Sequence, residues 1–226
     1  MLFRSHPGYF VVFATGDGGW RGPSTAVFQH LAERGYVMAG LSSPEVLNRA
    51  QRPNRRFTPT QATANLANLF AAIRRTLGVD SSASMIVVGF SRGASIVAYT
   101  AMNQRLRVGL GGSIAIALTR EDEYVRAPTG RRRRELKSDD QGRLALYPSL
   151  AEVTGTRLAV IQSTRDHYVP AEESRELLGP DTPERRVYAV DARNHLFTGG
   201  REELLRDLDD ALGWIETKAR PDGAAP

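Results

Sequence analysis

Three residues far apart in the chain, Ser91, Asp166 and His195, have between them the chemistry for covalent acyl transfer. A serine hydroxyl is a poor nucleophile at neutral pH. A histidine that takes its proton during attack and returns it to the leaving group removes that obstacle, and a carboxylate beside the histidine orients the ring and stabilises its cation. Ser91 stands in Gly89-Phe90-Ser91-Arg92-Gly93, a G-x-S-x-G spacing. The chain has no cysteine, which excludes disulfides, thiolate metal sites and a cysteine nucleophile. Covalent chemistry therefore falls to serine or another oxygen nucleophile.

The neighbouring elements must hold these groups. Ser84 to Gly89 reads as a buried strand and a helix-like run follows Gly93, so Ser91 falls at a sharp strand-to-helix turn. Gly89 and Gly93 remove the Cβ atoms that would collide where strand and helix meet. The plainer alternative is a glycine-containing turn with an incidental serine; the strand before and the helix after favour a nucleophile elbow. Tyr9 to Ala14 reads as another strand, running into the loop Thr15-Gly-Asp-Gly-Gly-Trp20. An ordinary connecting loop or a phosphate cradle would be the alternatives, but neither phosphate-binding glycine spacing is present. The loop is expected to supply one backbone N–H of an oxyanion hole, from Asp17 by analogy, with the N–H of Arg92 as the other. Gly16, Gly18, Trp20 and Arg92 are expected to border the substrate.

Asp166 lies in Gln162 to Pro170, after a strand at Leu158–Ile161, and His195 lies in Asp191 to Phe197, after a strand at Arg186–Val190. Ligands bind at that end of the strands in open α/β sheets. The order Ser, Asp, His along the chain is that of α/β-hydrolases. His167 is a rival base but lies beside the acid and too early; it reads as a pocket or surface residue. Asp191 is a rival acid but follows the last strand and reads as a turn residue.

The remaining chain supplies the layers. A helix over Pro23 to Gly35 carries Val27, Phe28 and Leu31 on one face, with His30 on the surface, and Tyr36 to Leu41 is a strand. Ser42 to Phe57 reads as a loop. Thr58-Pro59-Thr60-Gln61 combines a capping box with proline at the first helical position, and Gly78 ends that helix. Gly112 to Leu118 is a strand. Strands alternating with helices imply a mostly parallel sheet with helices on both faces, its leading strands reduced or absent. Residues 119–156, with Arg131 to Arg134, read as a loop or partial lid; the arginines are a solvated run or an anion site. Leu204, Leu208, Leu212 and Ile215 mark a closing helix.

At 226 residues and 41% hydrophobic content, we read one domain over 1–219 and a disordered tail over 220–226. No segment has membrane-spanning length or the form of a signal peptide, so the chain as written reads as soluble and unexported. The net charge of +5 favours anionic surroundings such as acidic headgroups, hence peripheral contact with an anionic membrane surface. No nucleic-acid motif is found, no cofactor or metal is expected, and the sequence does not fix an oligomeric state.

Thr15-Gly-Asp-Gly-Gly-Trp-Arg21, the Thr58 to Gln61 helix start, the elbow at Ser91 and Asn194-His195-x-Phe197 together resemble the bacterial virulence-protein (VirJ/AcvB-like) family. The resemblance covers nearly the whole chain, and the Thr-Gly-Asp-Gly-Gly-Trp loop is its most specific feature. It implies an α/β-hydrolase fold, a Ser91-Asp166-His195 triad and a periplasmic location. It also implies an ester substrate of the lysyl-phosphatidylglycerol kind, or a connection with secretion of virulence substrates; the competing reading of the chain is a catalytically idle binding module of the same fold, with the basic lid as a docking surface for an anionic partner. The elbow departs from the family's Gly-Tyr-Ser-Phe-Gly-Ala by placing Arg92 at the pocket border.

Overall fold

The computed structural model describes residue 6 and residues 8–50, 57–126 and 143–217. Six strands form one sheet: β1 (Tyr9–Ala14), β2 (Val37–Leu41), β3 (Ser84–Phe90), β4 (Leu110–Ile116), β7 (Arg157–Ser163) and β8 (Arg185–Val190). Their order is β2-β1-β3-β4-β7-β8 and every pairing is parallel. Among the described residues no strand precedes β1. Parallel strands covered on both faces are apolar throughout, and β3 shows this: its residues alternate between two cores. Met85 and Val87 join a cluster with Leu66, Phe70 and Ile73 of α3 (Pro59–Leu77) and Ile96 and Val97 of α4 (Arg92–Met102). Ile86 and Val88 face Val27 and Leu31 of α1 (Pro23–Glu33) and Leu208, Leu212 and Ile215 of α7 (Arg201–Glu216).

Local chemistry sets the helix ends. Thr58 caps α3 by accepting from the Gln61 N–H at 3.2 Å, while the Gln61 side chain accepts from the Thr58 N–H at 3.0 Å; Gly78 closes the helix at φ 62°. These two hydrogen bonds satisfy donors that the first turn of a helix otherwise leaves open. Gly35, at φ 87°, follows α1 in the left-handed conformation expected of it.

The structure adds elements that the sequence reading passed over. Ser43–Ala50 is a helix, α2, where a loop was expected, and Ala171–Leu178 is a further helix, α6. Within 119–156, β5 (Glu121–Arg126) and β6 (Arg143–Ala145) pair antiparallel, and α5 (Leu146–Leu150) follows. The described parts of this segment are not plain loop, because Tyr124, Val125, Leu144, Leu146, Tyr147 and Leu150 are buried in the α3/α4-side core. Arg131 to Arg134 and the 220–226 tail lie outside the described residues.

The strand expected at Gly112–Leu118 runs instead from Leu110 to Ile116, leaving Ala117 at φ 56°. Glycines fit inside this strand because a Cβ on Gly111 would meet the Tyr9 ring at 2.8 Å, and one on Gly112 would meet Ile215 at 2.7 Å. His30 is half-buried rather than a bare surface residue: its Nε2 lies 2.8 Å from Asp209 Oδ1, and Arg34 pairs with the same carboxylate, joining α1 to α7. Among the described residues no helix is long and apolar enough to cross a membrane.

Candidate active site

Ser91 occupies the single residue between the end of β3 and the start of α4, at φ 53° and ψ −115°. Positive φ on a non-glycine residue is uncommon and holds only where the surroundings enforce it. Here they do. A Cβ on Gly89 would lie 2.2 Å from the Gly93 carbonyl oxygen, and one on Gly93 would lie 2.2 Å from the Ala14 carbonyl oxygen. Strand, helix and the end of β1 therefore touch backbone to backbone, and the turn has room for one protruding side chain. The Ser91 N–H donates to the Ile116 carbonyl at 2.8 Å, which fixes the turn to the neighbouring strand.

The structure brings the three expected side chains into one chain of contacts. His195 Nε2 lies 2.8 Å from Ser91 Oγ, and His195 Nδ1 lies 2.7 Å from Asp166 Oδ2. His195 is 7% and Asp166 2% exposed, so the pair is shielded from competing water. The second Asp166 oxygen accepts from the Tyr168 N–H at 2.9 Å, which fixes the carboxylate plane. The Tyr168 ring stands edge-on to the His195 ring at 4.9 Å, and the Phe90 ring lies 6.0 Å from it.

The rivals sit elsewhere. Asp191 is exposed and pairs with Arg165 at 2.7 Å. His167 is exposed, its ring against Tyr168 at 4.0 Å and 5.9 Å from that of His195.

The segments that carry Asp166 and His195 are fastened to each other. Ser163 Oγ donates to the Ala192 carbonyl at 3.0 Å, and Arg165 Nε reaches the same carbonyl at 3.2 Å. Asn194 shapes the histidine turn: its Oδ1 accepts from the N–H groups of Leu196 at 3.0 Å and Thr198 at 3.3 Å. Phe197, at φ 55° and 2% exposed, packs on Phe90 at 6.1 Å.

Gln162, fully buried, was not singled out from sequence. Its Oε1 accepts from the Leu118 N–H at 2.9 Å, and its Nε2 donates to the carbonyls of Leu118 at 3.0 Å and Val169 at 2.7 Å. It thus joins the segment after β4 to the acid loop. A polar residue near the end of an otherwise apolar strand was the available signal.

The glycine-rich loop meets Ser91 from the other side. A Cβ on Gly16 would stand 3.1 Å from the Phe90 ring and 3.3 Å from Ser91 Cβ, so the loop packs on the turn. The Gly16 N–H is taken by Ser24 Oγ at 3.2 Å, and the Gly19 N–H donates to the Gly16 carbonyl at 3.0 Å. Asp17 and Gly18 are thus the central residues of a four-residue turn, in which the second residue's N–H is not used by the turn itself. Thr15 Oγ1 accepts from the Ser43 N–H at 3.1 Å, tying the loop to α2. The anchoring contacts of Thr15, Ser24 and Ser43 were not anticipated from the sequence, because a small hydroxyl in a loop or at a helix start carries no pattern that names its distant partner.

Arg92 is the first residue of α4, where backbone N–H groups lack partners within the helix and the helix dipole favours negative charge. Its Nε lies 2.5 Å from Asp17 Oδ1. This is a contact of charge rather than an aligned hydrogen bond. Of the other residues expected at the substrate, Gly18 is exposed at the tip of the turn with open space around it, and Trp20 packs its ring on Phe28 at 4.9 Å and Phe13 at 6.1 Å.

A wholly parallel sheet of this order, with a serine turn after its central strand and acid and histidine loops after the last two, is an α/β-hydrolase fold. The chain superposes on Est1E from Butyrivibrio proteoclasticus with a TM-score of 0.58 and 14% identity, covering 94% of this chain and 91% of that one. It also superposes on an alpha-beta serine hydrolase homologue from Coxiella burnetii (TM-score 0.61, 15% identity, 92% and 86% covered). A third match is naproxen esterase from Bacillus subtilis (TM-score 0.61, 8% identity, 92% and 84% covered). At these identities the likeness is one of fold. Residues 8–167 match the model of the bacterial virulence protein (VirJ) family, and the chain belongs to that family. No curated protein matches the sequence.

Proposed function

We propose that this protein is a cofactor-independent serine hydrolase that cleaves an ester through an acyl-enzyme. The observation that carries the reading is the continuous contact from Ser91 Oγ through His195 to the buried Asp166. Ser91 attacks the ester carbonyl while His195 Nε2 takes its proton; Asp166 holds the Nδ1–H form of the ring and stabilises the imidazolium. The tetrahedral oxyanion is received by the N–H groups of Arg92 and Asp17. His195 then protonates the leaving alcohol, and a water deprotonated by the same nitrogen attacks the acyl-serine and releases the acid. The fold neighbours include an esterase and a serine hydrolase homologue, which supports the same class of reaction.

Within that class, an aminoacyl ester on a phospholipid is the finer proposal, supported by the family match and by the net positive charge. Residues of the anionic headgroup would be drawn to the surface by long-range attraction, which raises encounter rate without fixing the bond that is cut. The alternative, an idle binding module, leaves the assembled side chains without a purpose.

The test is turnover of p-nitrophenyl acetate and of aminoacyl-phosphatidylglycerol vesicles by the wild type and by Ser91→Ala at matched folding. Loss of both activities in the variant is expected, and turnover that survives the substitution would refute the serine mechanism.

A further inference from the structure

The glycine-rich loop is well fixed at its base and poorly fixed at its tip. Thr15 is held by Ser43 and by the Leu41 carbonyl, which accepts from the Thr15 N–H at 2.9 Å, and Gly16 is held by Ser24. Beyond them the chain turns at Asp17 and Gly18, both exposed, with nothing within 4 Å of the Cβ position of Gly18. Yet in the reading above the Asp17 N–H has to sit at a fixed separation from the Arg92 N–H, since an oxyanion hole works only when both donors reach the same developing charge. The one contact described between the side chains of these two residues is the 2.5 Å approach of Arg92 Nε to Asp17 Oδ1.

We propose that the Asp17–Arg92 ion pair is a clasp that sets the oxyanion hole, making both side chains positioning residues for the hydrolysis. The inference rests on the serine-hydrolase reading. The pair acts in two ways. It ties the tip of the loop to the first turn of α4, so the two N–H donors move together. It also cancels a charge: the Asp17 carboxylate, left alone beside a developing oxyanion, would oppose it, and the guanidinium removes that opposition. The same pairing means that the Arg92 guanidinium is already engaged by a carboxylate, so an anionic substrate has to compete with Asp17 for it. The site is therefore set for the ester carbonyl, and headgroup charge is to be read elsewhere on the surface.

Charge cancellation gives a pattern that simple loss of structure does not. Arg92→Ala leaves the Asp17 carboxylate unpaired and should lower kcat on p-nitrophenyl acetate by about 10- to 100-fold, less than or near the loss from deleting an oxyanion donor, with KM little changed. Asp17→Asn should cost less. The double variant Arg92→Ala/Asp17→Asn should recover part of the loss and perform no worse than Asp17→Asn, and Arg92→Lys should retain more activity than Arg92→Ala. Asp209→Asn, in the distant pair with Arg34, is the control and should leave kcat unchanged.

Deuterium exchange provides a readout independent of turnover. The hydrogen-bonded amides of Gly16, Gly19 and Arg21 should exchange faster in Arg92→Ala than in the wild type, at an unchanged melting temperature. An unchanged kcat in Arg92→Ala, losses that simply multiply in the double variant, or unaltered exchange in the loop would each overturn the clasp. A wild type without esterase activity, showing faster loop exchange in Arg92→Ala, would instead count against the hydrolase reading and leave the tether intact.

Discussion

The two sides of Ser91 are built by different means. On the side of His195 and Asp166, positions are set by buried contacts: both residues are almost wholly enclosed, Ser163 bonds the next loop's backbone, and Gln162 satisfies three backbone groups at once. On the side of the proposed oxyanion hole, the glycine-rich loop is anchored by hydroxyl contacts at its base, and its tip meets the rest of the site through an ion pair whose carboxylate is 61% exposed. Buried polar contacts are costly to break because a stranded partner cannot be rehydrated, whereas an exposed charge pair is worth little to stability. Substitutions on the first side should therefore damage both fold and chemistry, and those at the tip of the second should damage chemistry alone.

The largest effects test whether the buried side is catalytic at all. His195→Ala should reduce turnover by roughly 10⁶-fold, and Asp166→Asn by about 10⁴-fold, because removal of these groups ends proton transfer or fixes the wrong tautomer. His167→Ala and Asp191→Asn should stay near wild type in the same assay; a greater loss in either would reassign the base or the acid.

Gly93→Ala tests the packing under both sides. Its methyl group would overlap the Ala14 carbonyl, so a destabilisation of at least about 1–3 kcal/mol is expected, read as a fall in melting temperature together with lost turnover. A melting temperature within a degree of wild type would show that the contact between β1 and α4 is looser than described.

Gln162→Leu sharpens the comparison on the stability axis. It strands a buried N–H and leaves two carbonyls without their donor, which should cost about 1–3 kcal/mol or more and lower the thermal midpoint by several degrees. Ser24→Ala, which frees the Gly16 N–H at the base of the other loop, should cost no more than about 1–2 kcal/mol and show mainly in kcat. Equal thermal effects in the two variants would erase the distinction between the two sides.

Much of this was legible in the chain. The run ending at Gly89 gave β3 and the turn after it, because a buried parallel strand is a near-continuous apolar stretch and few residues tolerate so close an approach of strand and helix. The order Ser91, Asp166, His195 was readable because each follows a strand end. Other parts were not. Helix α6 carries Glu172, Glu173, Arg175 and Glu176 and only a thin apolar edge, with Ala171 and Leu178 buried, so periodicity was weak. The β5–β6 ribbon is rich in charge, Glu121-Asp-Glu-Tyr-Val-Arg126, and its burial depends on tertiary contacts with α3 and α4 that no local pattern announces. The Asp17–Arg92 contact joins a loop residue to the first residue of α4, far apart in the chain, and only their meeting in three dimensions reveals it.

The central claim is that Ser91 is a nucleophile activated by His195, and covalent labelling reads it most directly. The purified protein is treated with a fluorophosphonate, and the adduct is located by mass spectrometry of its peptides in the wild type, Ser91→Ala and His195→Ala. The expected result is a single phosphonyl adduct on Ser91 in the wild type, none in Ser91→Ala and a greatly slowed reaction in His195→Ala. An adduct on another residue, or no adduct on a folded wild-type protein, would contradict the account.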